Sequence, residues 1–145
     1  MIQHIDVHAV LRESCSGVYA DLVTRPTGRV VRERIERVIA AGAAVIARMD
    51  FSGVGCMDYS CADEIVAKLL RAWPALLVLR GLTEGHRDAI EPVLDRHGLA
   101  VVLEAPDGTL DVIGAPAMGA ALLERLVAQR LADRLPGGTL ALTAT

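Results

Sequence analysis

Residues 43–73 read AAVIARMDFSGVGCMDYSCADEIVAKLLRAW, and this stretch constrains the fold more than any other. Ala44, Val45, Ile46, Ala47, Met49 and Phe51 form a nearly continuous apolar run, the pattern of a strand covered on both faces. A short polar loop follows. Ala62, Ile65, Val66, Leu69, Leu70 and Trp73 then recur at helical spacing and define one buried stripe. Ser60, followed three residues later by Asp63, approximates a capping box: the hydroxyl would accept an orphan backbone N–H, and the carboxylate is favoured by the helix dipole. Ligands and partners of open α/β sheets usually sit in the crevice beyond the carboxyl ends of the strands. The candidate functional region is therefore Asp50 to Glu64.

The rest of the chain alternates between strand and helix patterns. Ile5, Val7, Ala9 and Leu11 read as a half-buried strand, Ser14-Cys15-Ser16-Gly17 as its turn, and Val18 to Thr24 as a second strand. Thr27 is placed to cap a helix in which Val31, Ile35, Val38 and Ile39 share a side, and Gly42 is placed to end it. Arg29, Arg32, Glu33, Glu36 and Arg37 read as its solvated face, with Glu33 and Arg37 paired. Ala75 to Arg80 reads as a strand. Thr83 suits the cap of the next helix, although Pro92 within Glu84 to His97 implies a kink or a later start; Gly98 ends it. Pro106-Asp107-Gly108 separates Leu99–Leu103 from Thr109–Ile113, which predicts a hairpin at one sheet edge. Pro116 opens a final helix carrying Leu122, Leu123, Leu126, Val127, Leu131 and Leu135 until Pro136-Gly137-Gly138 stops it. The expectation is one domain over residues 1–135, with residues 136–145 a mobile tail.

Composition narrows the function classes. The 145 residues are 52% hydrophobic but only 3% aromatic, so the core is aliphatic and a base-stacking platform is not expected. A net charge of −3 argues against phosphate-driven nucleic-acid binding. Cys15, Cys56 and Cys61 are an odd number without a Cys-x-x-Cys pair, which disfavours a disulfide scaffold. No apolar run approaches the ~20 residues that span a bilayer, and no signal-peptide pattern opens the chain, so a soluble cytoplasmic protein is expected.

The strand, loop and helix junction, with its turn Asp58-Tyr59-Ser60-Cys61, resembles the STAS family, the sulfate transporter and anti-sigma-factor antagonist domain. Ala75–Arg80 resembles the family's next strand, and Val93-Leu94-Asp95-Arg96-His97-Gly98-Leu99 the end of the helix after it. Asp50-Phe51-Ser52-Gly53-Val54 with Asp63-Glu64 is similar to a poorly characterised group of bacterial STAS-like proteins. The resemblance covers about Ile2 to Leu135. It implies a mixed, mostly parallel sheet packed with about four helices. It also implies a phosphoacceptor at Ser60 and partner contacts through Asp58, Tyr59, Cys61, Asp63 and Glu64. The implied partner is a serine kinase or anti-sigma-like protein with an ATPase fold, which supplies the ATP; the domain itself carries no cofactor. Tyr59 and Cys61 depart from the small residue and the glycine usual in that turn.

The residues themselves suggest little catalysis. No nucleophile elbow, Walker loop or dinucleotide fingerprint is present. Asp63 and Glu64 are adjacent on a helix and diverge by ~100°, unlike an acid and base flanking a bond. A phosphate on Ser60 would be favoured by the helix dipole and opposed by Asp58, Asp63 and Glu64, so its expected effect is to repel a partner. Cys61 has the dipole to lower its thiol pKa and acidic neighbours to raise it, which leaves a Cys56/Cys61 redox or small-ligand sensor as an alternative function. A structural homo-oligomer is the other alternative. His4, Asp6 and His8 would share one face of the first strand, but ~7 Å steps keep them from closing on one metal ion.

Overall fold

A computed structural model of the chain describes residues 2–15, 20–72 and 76–143. Trp73 and residues 16–18 of the expected turn and second strand lie outside the described residues. β1 (Ile2–Asp6) ends where the Asp6 carboxylate accepts the Ala9 N–H and caps α1 (Val7–Ser14). The expected strand through Leu11 is thus corrected. Val7, Val10 and Leu11 are buried at i, i+3 and i+4, a helical stripe that positions 7 and 11 disguised because they also fit a period of two. His8 lies on this helix, so His4, Asp6 and His8 do not share a sheet face.

α2 (Arg25–Ala41) starts before the expected cap, with Thr24 at the N-cap, Pro26 in the first turn and Gly42 at the end. Val31, Ile35 and Ile39 form its buried side. Of the expected second strand, Leu22 makes only an isolated parallel bridge to Met57. β2 (Ile46–Asp50) leads through a loop to α3 (residues 59–72), whose middle turn, Asp63–Ala67, is a π turn in which the Lys68 N–H bonds to the Asp63 carbonyl. β3 (Leu76–Arg80) and α4 (Glu84–His97) follow. Thr83 caps α4 as expected, in a reciprocal box with His86, and the helix runs from that cap straight through Pro92. The proline lies on the exposed side, so the carbonyl left without its helical bond is on the solvent side.

β4 (Ala100–Glu104) and β5 (Thr109–Gly114) form the expected hairpin, though not at an edge. α5 (Pro116–Ala128) stops before Leu131 and Leu135. The chain returns as β6 (Ala132–Arg134), turns at residues 136–138, and ends in β7 (Leu140–Leu142), which pairs with both β5 and β6. Residues 140–142 therefore belong to the sheet, correcting the expected mobile tail. Pro136-Gly137-Gly138, read as a helix stop, is a hairpin turn closed by Leu135 N–H to Thr139 O at 2.7 Å.

The fold is α/β: a mixed seven-stranded sheet in the order β1-β2-β3-β4-β5-β7-β6, parallel through β4 and antiparallel beyond. Each of the first four strands lies beside its predecessor, so right-handed crossovers place α1 to α4 on one face. There Ile5, Met49, Leu79 and Val101 meet Leu11, Ile35, Ile65, Leu69 and Ile90. The opposite face packs Ile46, Val78 and Val102 against Leu126 of α5. Each fully buried aliphatic side chain contributes ~1.5–3 kcal/mol, which is how a core poor in aromatic residues holds its layers together.

Candidate functional site

The loop between β2 and α3 is fixed at almost every residue. The Phe51 N–H continues the ladder to the Arg80 carbonyl at 2.9 Å, and the Asp50 carboxylate accepts the Ser52 N–H at 2.9 Å. Gly81 makes the β3–α4 turn fit beside it: its φ is +69°, and a side-chain carbon there would lie 2.5 Å from Asp50 Oδ1 and Ser52 Oγ. Further on, the Asp21 carboxylate accepts the Cys56 N–H at 2.8 Å, while the Leu22 backbone exchanges bonds with Cys56 O and Asp58 N. His86, buried at the start of α4, accepts the Thr83 N–H on Nδ1; the proton is then on Nε2, which donates to the Gly55 carbonyl at 2.7 Å. Sequence reasoning missed this residue's role in holding the loop. Ser52, Gly53, Gly55, Cys56 and Tyr59 are left facing solvent.

Asp58, rather than Ser60, is the N-cap of α3. Its carboxylate accepts the Cys61 N–H at 2.8 Å, the Thr24 N–H at 2.9 Å and the Ser60 hydroxyl at 2.8 Å. One carboxylate thus ties the first turns of α2 and α3 together. Burial alone would raise the Asp58 pKa, but the hydrogen bonds from Cys61, Thr24 and Ser60 outweigh it and hold the group below the usual range. The expected Ser60–Asp63 capping box is corrected: Ser60 is the second residue of the helix, half-buried, and its hydroxyl donates instead of capping.

Three residues expected at a contact surface are buried. Cys61 has no exposed surface, donates to the Thr24 carbonyl at 3.2 Å, and faces the backbone of Gly28. Desolvation first, and the Asp58 charge second, push its thiol up to about 12. A thiol so held is no nucleophile near neutral pH, which removes Cys61 from the proposed redox pair. Asp63 and Glu64 are buried because the π turn lies between α2, α4 and the sheet. Burial opposes ionisation of both, yet their pKa values fall below the usual range: Arg25 dominates at Asp63, and Lys68 with Arg32 at Glu64.

The cations around these carboxylates come mostly from α2. Arg25 reaches Asp63 at 2.8 Å, where the imidazole of His97 lies 3.3 Å away. Glu64 is met by Lys68 at 2.9 Å, Arg32 at 3.2 Å, Arg25 at 3.5 Å and Arg29 at 3.8 Å. On α2 itself Arg32 pairs with Glu36 at 2.6 Å, which replaces the expected Glu33–Arg37 pair. So the face read as solvated carries the counter-charge of a buried acid. The legible signal was Arg25, Arg29 and Arg32 at i, i+4 and i+7, flanking a glycine. No protein-family model, curated protein or solved structure matches the chain.

Proposed function

We propose that the chain is a non-catalytic, regulatory protein-interaction module, similar to anti-sigma-factor antagonists, that docks on its partner through the β2–α3 loop and Tyr59. The observation that carries this reading is the loop itself: an exposed surface over residues 52–56 and Tyr59, immobilised by Asp21, Asp50, Asp58 and His86. A surface ordered before contact loses little entropy on binding. Near it, Ser60 hydrogen-bonds to a carboxylate and Cys61 is an inert thiol, an arrangement with no activated nucleophile.

Ser60 is the switch in this reading, and the partner is an ATPase-fold serine kinase or anti-sigma-like protein. The kinase moves the γ-phosphoryl group of ATP onto Ser60 Oγ and ADP departs. The new dianion replaces a hydrogen bond to Asp58 with like-charge repulsion at the tie between α2 and α3. Of the residues implied by the resemblance, Tyr59 is the contact and Asp58, Cys61, Asp63 and Glu64 support it from within.

A photo-crosslinking residue at position 59, introduced in the native cell, identifies the partner. Tyr59→Ala is then expected to weaken the purified complex at least tenfold, about 1.4 kcal/mol, with an unchanged melting temperature. Labelled ATP should transfer phosphate to the wild-type chain and not to Ser60→Ala. A partner that binds Tyr59→Ala as tightly as wild type refutes the docking surface, and absence of transfer refutes the switch.

A further inference from the structure

We propose that Arg25, Arg29 and Lys68, arranged around buried Glu64, form a receptor for a phosphate monoester dianion on the outer side of the α2–α3 groove. Glu64 has no exposed surface and is surrounded by four cations. A buried ion pair is poor value as a stabiliser compared with apolar packing, but a fixed carboxylate is an effective way to aim guanidinium groups. Arg32 is consumed by Glu36 and Glu64, and one side of Arg25 by Asp63. The four cations face only three carboxylates, Glu36, Asp63 and Glu64, which leaves one positive charge in excess on a chain of net charge −3.

That excess is concentrated on Arg29. Its nearest acidic atom is Glu64 Oε1 at 3.8 Å, beyond hydrogen-bond distance, and its side chain is 55% exposed. Among the described residues its guanidinium has no hydrogen-bond acceptor, so a planar fork of N–H donors points outward beside the part-exposed heads of Arg25 and Lys68. Gly28 lets the two helices bring these groups together: a side-chain carbon there would sit 3.0 Å from Cys61 Cα and 3.2 Å from Glu64 Cβ. A ligand must outweigh the field of Glu64 while bridging donors from two helices. A tetrahedral dianion, with three free oxygens and −1.5 to −2 charges, has both properties.

Two sources carry this chemistry. One is a free phosphate monoester. The other is Ser60 of this chain, one helical turn before Glu64 and joined through Asp58 to Thr24, the residue preceding Arg25. Repulsion by Asp58 would drive a phosphate on Ser60 toward those arginines. The Ser60 source rests on the switch reading above; the free source does not.

The test has two arms, both on the full chain. In the first, the arginine Nε resonances of the unphosphorylated protein are followed by NMR during titration with inorganic phosphate at constant ionic strength. Saturation at millimolar phosphate, weakened at least tenfold by Arg29→Gln, supports a free source. In the second, phosphoserine is genetically encoded at position 60 and its second ionisation is followed by 31P NMR. A midpoint about one unit below the usual value of about 6, restored by Arg29→Gln, supports the Ser60 source. Arg29 is exposed, so its variant is expected to melt with the wild type. If inorganic phosphate shifts Arg29 no more than chloride, and the 31P midpoint is the same with and without Arg29, the receptor is refuted. Failure of the second arm alone rejects the Ser60 source and leaves the first to decide the receptor.

Discussion

Replacing Asp58 by asparagine keeps the size and shape of the side chain and removes one acceptor. The carboxylate receives the Cys61 and Thr24 N–H groups on different oxygens, Oδ1 and Oδ2, at 2.8 and 2.9 Å. The amide has one oxygen, and its NH2 must then face whichever N–H it does not accept. A charge-assisted bond is lost and a donor is stranded, which costs about 2 kcal/mol. Asp58→Ala loses both bonds together with the cap, about 3–4 kcal/mol. Ser60→Ala removes a donor from a carboxylate that keeps two others, and costs under about 1 kcal/mol. Urea denaturation at pH 7 measures all three. Acid provides a second check, because the native Asp58 pKa is depressed. The stabilisation it gives is fully present above the unfolded carboxylate pKa of about 3.9 and is lost as pH falls through the lower native value. The gap between wild type and Asp58→Asn should therefore be constant down to about pH 5 and close toward pH 2. A gap below about 0.5 kcal/mol at pH 7, or one unaffected by acid, refutes the tie between α2 and α3.

Leu69→Ala, at a site with no exposed surface, should cost about 2–5 kcal/mol in the same denaturation assay. A loss under 1 kcal/mol would mean that α3 does not pack as described. With a small alkylating reagent at neutral pH, Cys56, which is exposed, should label far faster than Cys61, and Cys61 should react only on unfolding; mass spectrometry of the native protein distinguishes them.

The sequence disclosed most where one pattern had one structural solution. The apolar run into β2, the stripe Ala62, Ile65, Val66 and Leu69, the Thr83 cap and the β4–β5 hairpin are all recognisable from local chemistry. It misled where two periods overlapped. Val7 and Leu11 fit an alternating strand as well as a helix, and the Asp6 cap decides between them. At the C-terminus, Leu140 and Leu142 are too short a run to read as a strand, and only the open side of β5 makes them one. The site was legible as a place and not as an arrangement. Ser60 looked like the cap because hydroxyl caps are common, while Asp58 two residues earlier does that work. Charged residues are rarely buried, so Asp63 and Glu64 read as surface. Their burial depends on arginines more than 30 residues earlier, a partnership that no local pattern encodes.

The π turn at Asp63–Ala67 amounts to one residue more than a regular helix needs between Ala62 and Lys68. Deleting any single residue from it would let the segment relax to an unbroken α-helix, at the cost of rotating everything downstream by roughly 100° relative to Asp58 and Cys61. With the first turn held by Asp58, Leu69 would leave the core and Lys68 would leave Glu64. With Leu69 held in the core, the first turn would rotate instead and carry Tyr59 and Ser60 away from the β2–α3 loop. Loop and core are thus set in phase by a single surplus residue, and a deletion there would uncouple the two ends of α3 while leaving every side chain named at either end intact.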